Sequence, residues 1–240
     1  KVKSAMMYPA TVAIISVVIV IFLLSTVVPT FADMFTSFGG ELPLITRIVM
    51  SLGDVVQKIW WLLSLVLIAF IIIIRYIQGN RHLKYYLDLF LLKLPIFGSL
   101  LQKSAIARMT RTLGSLFSSS VPVLQSLTIV ENIIGNEVLA RVIGEAKISI
   151  EKGQSISVPL ENHWAFPPMV TSMIAIGEKS GTMDLMLNKV ADFYEMEVDN
   201  ATDQIKSLIE PMMIVLLAVV VGGIVAAIAV PMFRIFETIQ

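Results

Sequence analysis

The chain has 240 residues, of which 56% are hydrophobic and 15% are charged, and its mean hydropathy of +0.84 is too high for a soluble globular domain of this size. The composition therefore predicts a membrane protein. Eighteen basic and eighteen acidic residues leave no net charge, and the absence of cysteine excludes disulfides, thiolate nucleophiles and Cys-ligated zinc.

The first uncharged run covers residues 5–28, which as a helix would span about 36 Å, enough for a hydrocarbon core of roughly 30 Å. We predict a first transmembrane helix at residues 1–28. Residues 29–58 carry Phe31, Phe35 and Phe38 at helical spacing, then a glycine pair and a second apolar-periodic piece. This pattern predicts an external loop of two short amphipathic helices, whose phenylalanines either lie at the bilayer surface or pack on the ends of the spans.

The second uncharged run covers residues 59–74 and is flanked by Trp60, Trp61 and Arg75. Interfacial tryptophans and snorkelling basic side chains extend such a run to spanning length, so we predict a second transmembrane helix at residues 59–77. Residues 75–111 contain seven basic residues and one acidic residue, whereas residues 29–58 contain two and three. Because basic residues favour the cytoplasmic side, the N-terminus and residues 75–206 are predicted to be cytoplasmic and the first loop external.

The segment at residues 78–207 has helical periodicity and no alternating strand pattern. It predicts a cytoplasmic helical bundle, and the whole chain an all-α membrane protein with three transmembrane helices and this bundle between the second and third. Asn136 is predicted to cap a helix in which Glu137 and Arg141 form an ion pair. A helix near residues 99–118 is predicted to face the core with Leu101, Ala105, Met109, Leu113 and Leu116, and to face outward with Ser104, Arg108, Arg111 and Ser115.

A longer amphipathic helix is predicted to begin after Thr182 and to carry an acidic stripe opposite its apolar face. The stripe has two interpretations, a solvated surface or a docking face for a basic partner, and the sequence leaves both open. Its carboxylates, hereafter the acidic stripe, are Asp184, Asp192, Glu195, Asp199 and Asp203.

The same helix is predicted to continue into the membrane at Glu210 and Pro211, giving a third transmembrane helix at residues 208–234 and an external tail at residues 235–240. Small residues at a spacing of four favour close contact between spans. They form two pairs, Gly222 with Ala226 and Gly223 with Ala227. Three spans from a cytoplasmic start place the C-terminus outside.

Signals for catalysis are weak throughout. His82 and His163 are far apart and have no metal-ligand spacing, which favours ordinary structural histidines. Gly177 and Gly181 bound a turn that is predicted to end one helix in left-handed geometry, and Thr182 is predicted to cap the next helix. The alternative, a phosphate cradle at this turn, would need a preceding strand and P-loop spacing, and neither is present. The spans lack central ionisable residues, and no module for specific nucleic-acid recognition occurs. We therefore expect no enzyme activity and no cofactor.

One order of motifs resembles a known family. Phe166 and Met169 flank Pro167 and Pro168, a Gly-Glu-Lys-Ser-Gly sequence follows at residues 177–181, and later motif positions complete the pattern. The chain closely resembles the inner-membrane platform proteins of type II secretion systems and type IV pili, over essentially its whole length. The positions that carry the motif are Pro167, Pro168, Gly177, Glu178, Gly181, Asp184 and Tyr194, followed by Glu210 and Pro211.

The resemblance implies a non-enzymatic scaffold in the bacterial inner membrane that couples a cytoplasmic assembly ATPase to pilin or pseudopilin subunits. It also implies contacts with other inner-membrane components and the lipid bilayer, and a small homo-oligomer. Family members resemble one another in having two homologous cytoplasmic bundles, whereas this sequence shows one and no internal repeat, so the first bundle is expected to be missing before Lys1. The alternative is a transporter or channel subunit, which only the polytopic hydrophobicity favours.

Overall fold

The computed structural model describes residues 2–37, 42–95 and 97–238, and every regular element among them is helical. This confirms the all-α prediction. A π-helical turn, Leu23–Val27, joins the first two α-helices. The α-helices are α1 (Val2–Phe22), α2 (Val28–Ser37), α3 (Leu44–Gly79), α4 (Arg81–Lys93), α5 (Phe97–Ser118), α6 (Val123–Ile133), α7 (Glu137–Glu151), α8 (Ser157–Glu161), α9 (Pro168–Ser180) and α10 (Met183–Thr238).

The chain divides into two compact units. The bundle unit is Ile73–Thr202, and the apolar unit contains the residues before and after that range. Both α3 and α10 contribute residues to each unit. The domain borders predicted from the sequence remain predictions.

The bundle unit has a continuous apolar core supplied by α5 to α10. Ala105, Met109 and Leu113 of α5 are buried as predicted, whereas Leu101, expected to face inward, is 41% exposed. Helix α5 begins at Phe97, so Leu101 lies in its second turn, before the stretch that contributes to this core. The helical period was therefore correct for this element, but the core face starts one turn later than expected.

Helix α7 begins at the predicted cap. The Asn136 side chain accepts hydrogen bonds from the backbone N–H groups of Val138 and Leu139, at 3.0 and 3.1 Å. The ion pair expected between Glu137 and Arg141 is absent, since within the described chain Arg141 has no carboxylate in salt-bridge range. Its guanidinium instead lies 3.9 Å from the ring centroid of a tyrosine in α4, Tyr85, and such a cation–π contact competes well with an exposed i,i+4 pair.

The first predicted loop is more helical than expected. The first transmembrane helix was predicted to end at residue 28, directly before Pro29. Proline lacks an N–H and its ring clashes with the carbonyl four residues earlier, which disfavours it inside a helix. In the structure the N–H of Val28 donates to the carbonyl of Leu23, five residues back. The π turn thus widens the helix just before the proline, and the backbone continues as α2.

The second short helix predicted in this loop is not a separate element, because residues 44–58 form the start of α3. No proline interrupts α3, so nothing in this stretch forces the helix to end. Phe35 is 4% exposed and Phe31 is half-buried, which favours packing against the protein over a position at the bilayer surface for these two phenylalanines. The parts of the prediction that concern Phe38, Gly39 and Gly40 lie outside the described residues.

Two helical stretches are long and apolar enough to cross a membrane, Ala10–Ser37 and Met183–Phe233. Helix α3 passes the same test as two pieces, Leu44–Ile59 and Ser64–Gly79, that are bent by 53°. Helices α4 and α5 also pass as a pair bent by 114°, although α5 supplies the bundle core. The described helices thus offer two to four candidate spans, and the three-span arrangement remains a prediction.

Candidate functional site at the α9–α10 turn and the acidic stripe

The turn between α9 and α10 depends on a left-handed glycine. Gly181 has φ +70°, a conformation that costs glycine little and other residues more. The N–H groups of Gly181 and Thr182 both donate to the carbonyl of Gly177, which closes the end of α9. The Thr182 hydroxyl lies 2.6 Å from the hydroxyl of Ser180, so this pair takes the place of the side-chain cap predicted for α10. The geometry explains why the motif ends in glycine.

Gly177 is required for a different reason, the close approach of α9 to α10. A Cβ atom at this position would lie 3.0 Å from the Cα of Met183 and 3.2 Å from the Cβ of Met186. Contacts this short leave no room for a methyl group unless a helix moves. The two glycines of the motif therefore fix both the turn and the distance between the helices that it joins.

Glu178, between them, fastens an earlier segment to this turn. Its carboxylate accepts hydrogen bonds from the backbone N–H of Ile156, at 3.1 Å, and from the hydroxyl of Ser155. The Ser155 hydroxyl in turn accepts from the N–H of Ser157, where α8 begins. Periodicity did not predict this contact, because it joins two segments more than twenty residues apart. It gives Glu178 a structural role in the motif.

The remaining motif residues of the bundle support this arrangement. Pro167 precedes α9 with extended backbone angles and Pro168 occupies its first turn, where proline is well tolerated. Tyr194 is 5% exposed in the core of the bundle unit. Burial, and to a lesser extent the charge of Glu197, raise the pKa of its phenol above the ordinary value. His163 has a local role, since its Nδ1 accepts from the N–H of Ala165 and burial lowers its pKa.

The acidic stripe is partly neutralised within the chain by α5. The Arg111 guanidinium donates to the carboxylates of Glu195, at 2.8 Å, and Asp192. It also donates to the side-chain oxygen of Asn188 at 3.3 Å. The hydrogen bonds from Glu195 and then Asp192 raise the pKa of this guanidinium, which stays charged throughout the physiological range. Sequence periodicity placed Arg111 on an outward face without showing that α10 lies against that face.

A second cross-link between the same helices lies two turns away from Arg111. The Nζ atom of Lys103 is 2.7 Å from the Glu197 carboxylate, and both side chains are about one third exposed. We call Arg111, Lys103 and their acidic partners on α10 the α5–α10 clamp. Ion pairs of this exposure contribute modestly each, but several on one face fix the register of two helices.

The other stripe residues have separate surroundings. Asp203 pairs with Lys206 one turn later, at 2.8 Å, and remains largely exposed. Asp184 lies in the first turn of α10, where a carboxylate favours the helix dipole. Asp199 is half-buried and also takes part in an interaction. The five predicted carboxylates are therefore spread along one helix rather than gathered into one pocket, and whether they dock a partner stays a prediction.

A family model described as type II secretion system (T2SS), protein F, matches residues 109–231, slightly more than half of the chain and all of the turn and stripe. The chain belongs to this family. The match covers α5 only from residue 109 onward, so it includes Arg111 of the α5–α10 clamp but not Lys103.

Similar proteins extend the likeness over the full chain. Type IV pilus assembly protein PilC of Thermus thermophilus is 42% identical over 241 residues, covering 100% of this chain and 59% of the relative. PilC of Pseudomonas aeruginosa is 39% identical, covering 98% and 63%. Type II secretion system protein F of Xanthomonas campestris is 34% identical, covering 100% and 59%. The chain thus spans about three fifths of the length of these relatives.

The membrane end of the family motif lies inside α10. Glu210 and Pro211 are both exposed, and the helix continues through the proline to Thr238. Among the described residues, added Cβ atoms at Gly222 and Gly223 would meet nothing within 4 Å, so no side chain or backbone packs where these side chains would project. Ala226 is half-buried and Ala227 is buried; the carbonyl of Ala227 accepts a hydrogen bond of 2.8 Å from the Thr46 hydroxyl.

Proposed function

We propose that this protein is a non-enzymatic platform of the bacterial inner membrane, which couples a cytoplasmic assembly ATPase to the polymerisation of pilin or pseudopilin subunits. In this proposal three helices cross the membrane and the bundle lies between the second and third of them on the cytoplasmic side. The N-terminus is cytoplasmic and the C-terminus external. Family membership supports a role in type IV pilus assembly or type II secretion, since relatives of both kinds are similar to this chain.

The observation that carries this proposal is the continuity of α10. One helix of 56 residues, about 84 Å long at 1.5 Å per residue, contains both the acidic stripe and the uncharged run after Glu210. Pro211 and Pro231 each remove one backbone hydrogen bond, but the helix continues through both, and its remaining hydrogen bonds make it stiff along its axis. A displacement applied at the bundle end can therefore act on the segment that enters the bilayer.

The α5–α10 clamp supports this coupling because it attaches the first part of α10 to the rest of the bundle unit. Because Arg111 and Lys103 tie α5 to α10, and Glu178 ties the α9–α10 turn to the start of α8, the first part of α10 moves together with the bundle. Such a fixed element transmits force, whereas a loosely attached helix would absorb it.

We further propose that the exposed part of the acidic stripe contacts a basic surface of the ATPase. Asp192 and Asp203 keep side-chain exposures of 69% and 73% although each has a basic neighbour in the chain. Ion pairs of this exposure are weak and screened by salt, so a partner with a larger basic patch can displace them. We also propose that the protein forms a small homo-oligomer and contacts other components of the machine in the inner membrane.

Interrupting α10 between its two parts tests the coupling. Ser207 is exposed, lies three residues before Glu210 and makes only a local side-chain hydrogen bond, to the Gln204 carbonyl. Ser207→Pro removes a backbone donor and adds a clash inside the helix, at a cost of about 3 kcal/mol or more. We expect cells carrying it to lose pili or secretion while the full-length protein remains in the membrane fraction. The matched variant Ser207→Ala keeps the helix and should assemble normally.

Because α10 already continues through Pro211, hydrogen exchange around residue 207 is measured to show that the added proline opens the helix. Normal assembly by Ser207→Pro with the helix opened there and at full membrane levels would refute coupling through a continuous helix without affecting the family assignment. Docking is tested by photo-crosslinkers placed at Asp192 and Asp203, with one at exposed Glu161 as the control. Recovery of the ATPase from the stripe positions alone supports docking. Equal recovery from Glu161, or none in assembling cells, favours a stripe that is solvated and clamped to α5.

A further inference from the structure

A polar cleft of about 500 Å³ lies in the bundle unit, at the end of α3. Its walls come from the last residues of α3, the first turns of α4, the turn between α6 and α7, and the start of α7. Neither the motif nor the acidic stripe reaches it. The cleft is large enough for a small polar group such as a phosphate ester with its glycerol or sugar.

Three basic side chains line this cleft: Arg81, Lys84 and Arg141. In the part of the chain that the structure describes, no carboxylate lies within 4.0 Å of their charged nitrogens. This differs from Arg111 and Lys103, whose charges are matched by carboxylates of α10. The cleft therefore concentrates positive charge that the protein does not neutralise through direct contact.

The two carboxylates that also line the cleft do not cancel this charge. Glu131 is engaged by a lysine outside the cleft, Lys147, whose Nζ lies 3.3 Å away. Glu137 is then the remaining carboxylate of the lining, and three basic side chains line the same cleft. Glu137 occupies the first turn of α7, whose dipole adds positive potential at the same wall. The net positive charge of the side chains that line the cleft therefore favours the binding of an anion.

The backbone around the cleft is already ordered before any ligand binds. The first N–H groups of α7 donate to Asn136 and to the Asp88 carboxylate, which accepts from Glu137 at 2.7 Å. Arg141 is held over the Tyr85 ring at 3.9 Å. A ligand would thus meet fixed walls and one preoriented guanidinium, which lowers the entropy cost of binding. The α7 N-terminus is saturated, so recognition must come from the side chains.

The position of the cleft along α3 indicates where its ligand comes from. The uncharged run of α3 ends at residue 74, and the first cleft residue, Gln78, is one helical turn after Arg75, or about 4.5 Å along the axis. If α3 crosses the membrane as proposed above, this is the depth of the phospholipid headgroups. Basic pockets at this depth on the cytoplasmic side are suited to anionic headgroups.

We propose that this cleft binds a phosphate group, supplied by the headgroup of an anionic phospholipid in the cytoplasmic leaflet. Arg81, Lys84 and Arg141 contact the phosphate oxygens, and the uncharged wall from Gln78 to Gly79 faces the glycerol. A soluble phosphate compound offers the same chemistry and is the other possible source. The inference goes beyond the coupling role; it rests on the proposed crossing of α3 and does not require an ATPase.

The test measures lipid adducts of the detergent-solubilised full-length protein by native mass spectrometry. Dioleoyl phosphatidylglycerol is titrated against dioleoyl phosphatidylcholine, and inorganic phosphate is titrated separately. We expect tighter binding of phosphatidylglycerol, and a loss of roughly fivefold in affinity for each basic residue removed, or about 100-fold for three. The test variant combines Arg81→Gln, Lys84→Gln and Arg141→Gln.

A matched control removes three charges at exposed lysines outside the cleft. The control variant combines Lys152→Gln, Lys179→Gln and Lys189→Gln.

Arg81→Gln alone is measured as well, because Arg141→Gln also removes the contact with Tyr85. Arg81 is exposed, so its substitution should lower the affinity for phosphatidylglycerol about fivefold without affecting the fold.

The outcomes separate the two sources. Preferential phosphatidylglycerol binding that is lost in the cleft variants and kept in the control supports the lipid headgroup. Binding of inorganic phosphate with the same dependence on Arg81, and no preference between the lipids, supports the same anion site filled from solution and refutes the lipid source. Equal losses in the cleft and control variants, or no binding of either probe, refute the site. None of these outcomes depends on pilus assembly, so they leave the platform proposal intact.

Discussion

The bundle unit and the apolar unit differ in how far they bury their own apolar side chains. The bundle unit encloses residues such as Ile106, Leu127 and Leu139, all fully buried, in one continuous core. The apolar unit has a small buried cluster, and most large apolar side chains of α1, α3 and the later part of α10 are exposed. The first unit can be stabilised by its own core, whereas the second needs an apolar environment such as lipid or a second copy.

Their polar contacts differ too, although the apolar unit also has a bond between distant segments, from a threonine hydroxyl of α3 to a carbonyl of α10. In the bundle unit, side chains such as Arg111, Glu178 and Asp88 link segments that are far apart in the sequence. In α1 the hydroxyls of Thr11 and Ser16 bond to carbonyls four residues earlier in the same helix. Local bonds of this kind satisfy polar groups without solvent, as a hydrocarbon environment requires. The comparison thus predicts different responses to the same substitution in the two units.

The largest difference is expected for a matched pair of leucines in α10. Leu187 is fully buried in the bundle core, whereas Leu216 is 58% exposed in the apolar unit. Leu187→Ala removes packed methyl groups and leaves a cavity, and should lower the free energy of unfolding of the bundle by about 2–5 kcal/mol. Leu216→Ala should change it by less than about 0.5 kcal/mol. Hydrogen exchange of bundle peptides in detergent measures both values.

An equal effect of the two leucine substitutions would contradict the comparison. A large loss for Leu216→Ala that appears only at high protein concentration would instead indicate that a second copy covers the exposed face of α10. The peptide from the α6–α7 region serves as the reference, since it belongs to the bundle core and contains neither leucine.

The sequence predicted those features that depend on one element at a time. The helical period identified three buried positions of α5, namely Ala105, Met109 and Leu113. The residue types identified the cap at Asn136 and the glycine that ends α9. The α5–α10 clamp was not predictable in this way. Periodicity shows that Arg111 and the acidic stripe lie on polar faces, but not that those faces meet. The same limit applies to Glu178 and its contact with the start of α8.

Errors at the other end of the chain have a local cause. The first transmembrane helix was predicted to end at residue 28, directly before Pro29, because the uncharged run was assigned to end there. The π turn that precedes it has no sequence signature, because Leu23 to Val27 are ordinary membrane residues. A proline therefore marks a point of strain but does not decide whether the backbone ends the helix or widens it.

A pair of glycines gives the second test of the comparison, with a smaller expected effect. Gly177→Ala places a methyl group 3.0 Å from the Cα of Met183 and should cost the bundle about 1–3 kcal/mol. Gly222→Ala meets nothing within 4 Å and lies in a helix, where alanine is favoured by up to about 1 kcal/mol. Thermal unfolding in detergent should therefore show opposite shifts in Tm.

Destabilisation by Gly222→Ala would break this expectation in an informative way. It would mean that another helix, from a second copy or a partner, packs against this face as the small-residue spacing predicts. No effect of Gly177→Ala would show that α9 and α10 can separate without cost, and would remove the physical reason given for the glycine in the motif.

The smallest expected effect concerns a single buried carboxyl group, Asp88, which is 8% exposed and accepts the N–H of Glu137. Burial raises its pKa above the ordinary value, and this outweighs the lowering by the backbone hydrogen bond and by Lys84. The folded bundle thus holds this proton more tightly than the unfolded chain does. Its stability should therefore fall as the pH rises from about 4 through the raised pKa.

Asp88→Asn keeps an acceptor for the Glu137 N–H but cannot ionise. We expect it to remove this part of the pH dependence and to leave the bundle as stable as the wild type at pH 7, or more stable by up to about 1 kcal/mol. Hydrogen exchange of α7 peptides between pH 4 and 7, corrected for intrinsic rates, measures the slope. Glu161→Gln, at an exposed position, is the control for lost charge. An unchanged slope in Asp88→Asn, or a loss above about 2 kcal/mol at pH 7, would mean that the ionised carboxylate stabilises α7 despite its burial.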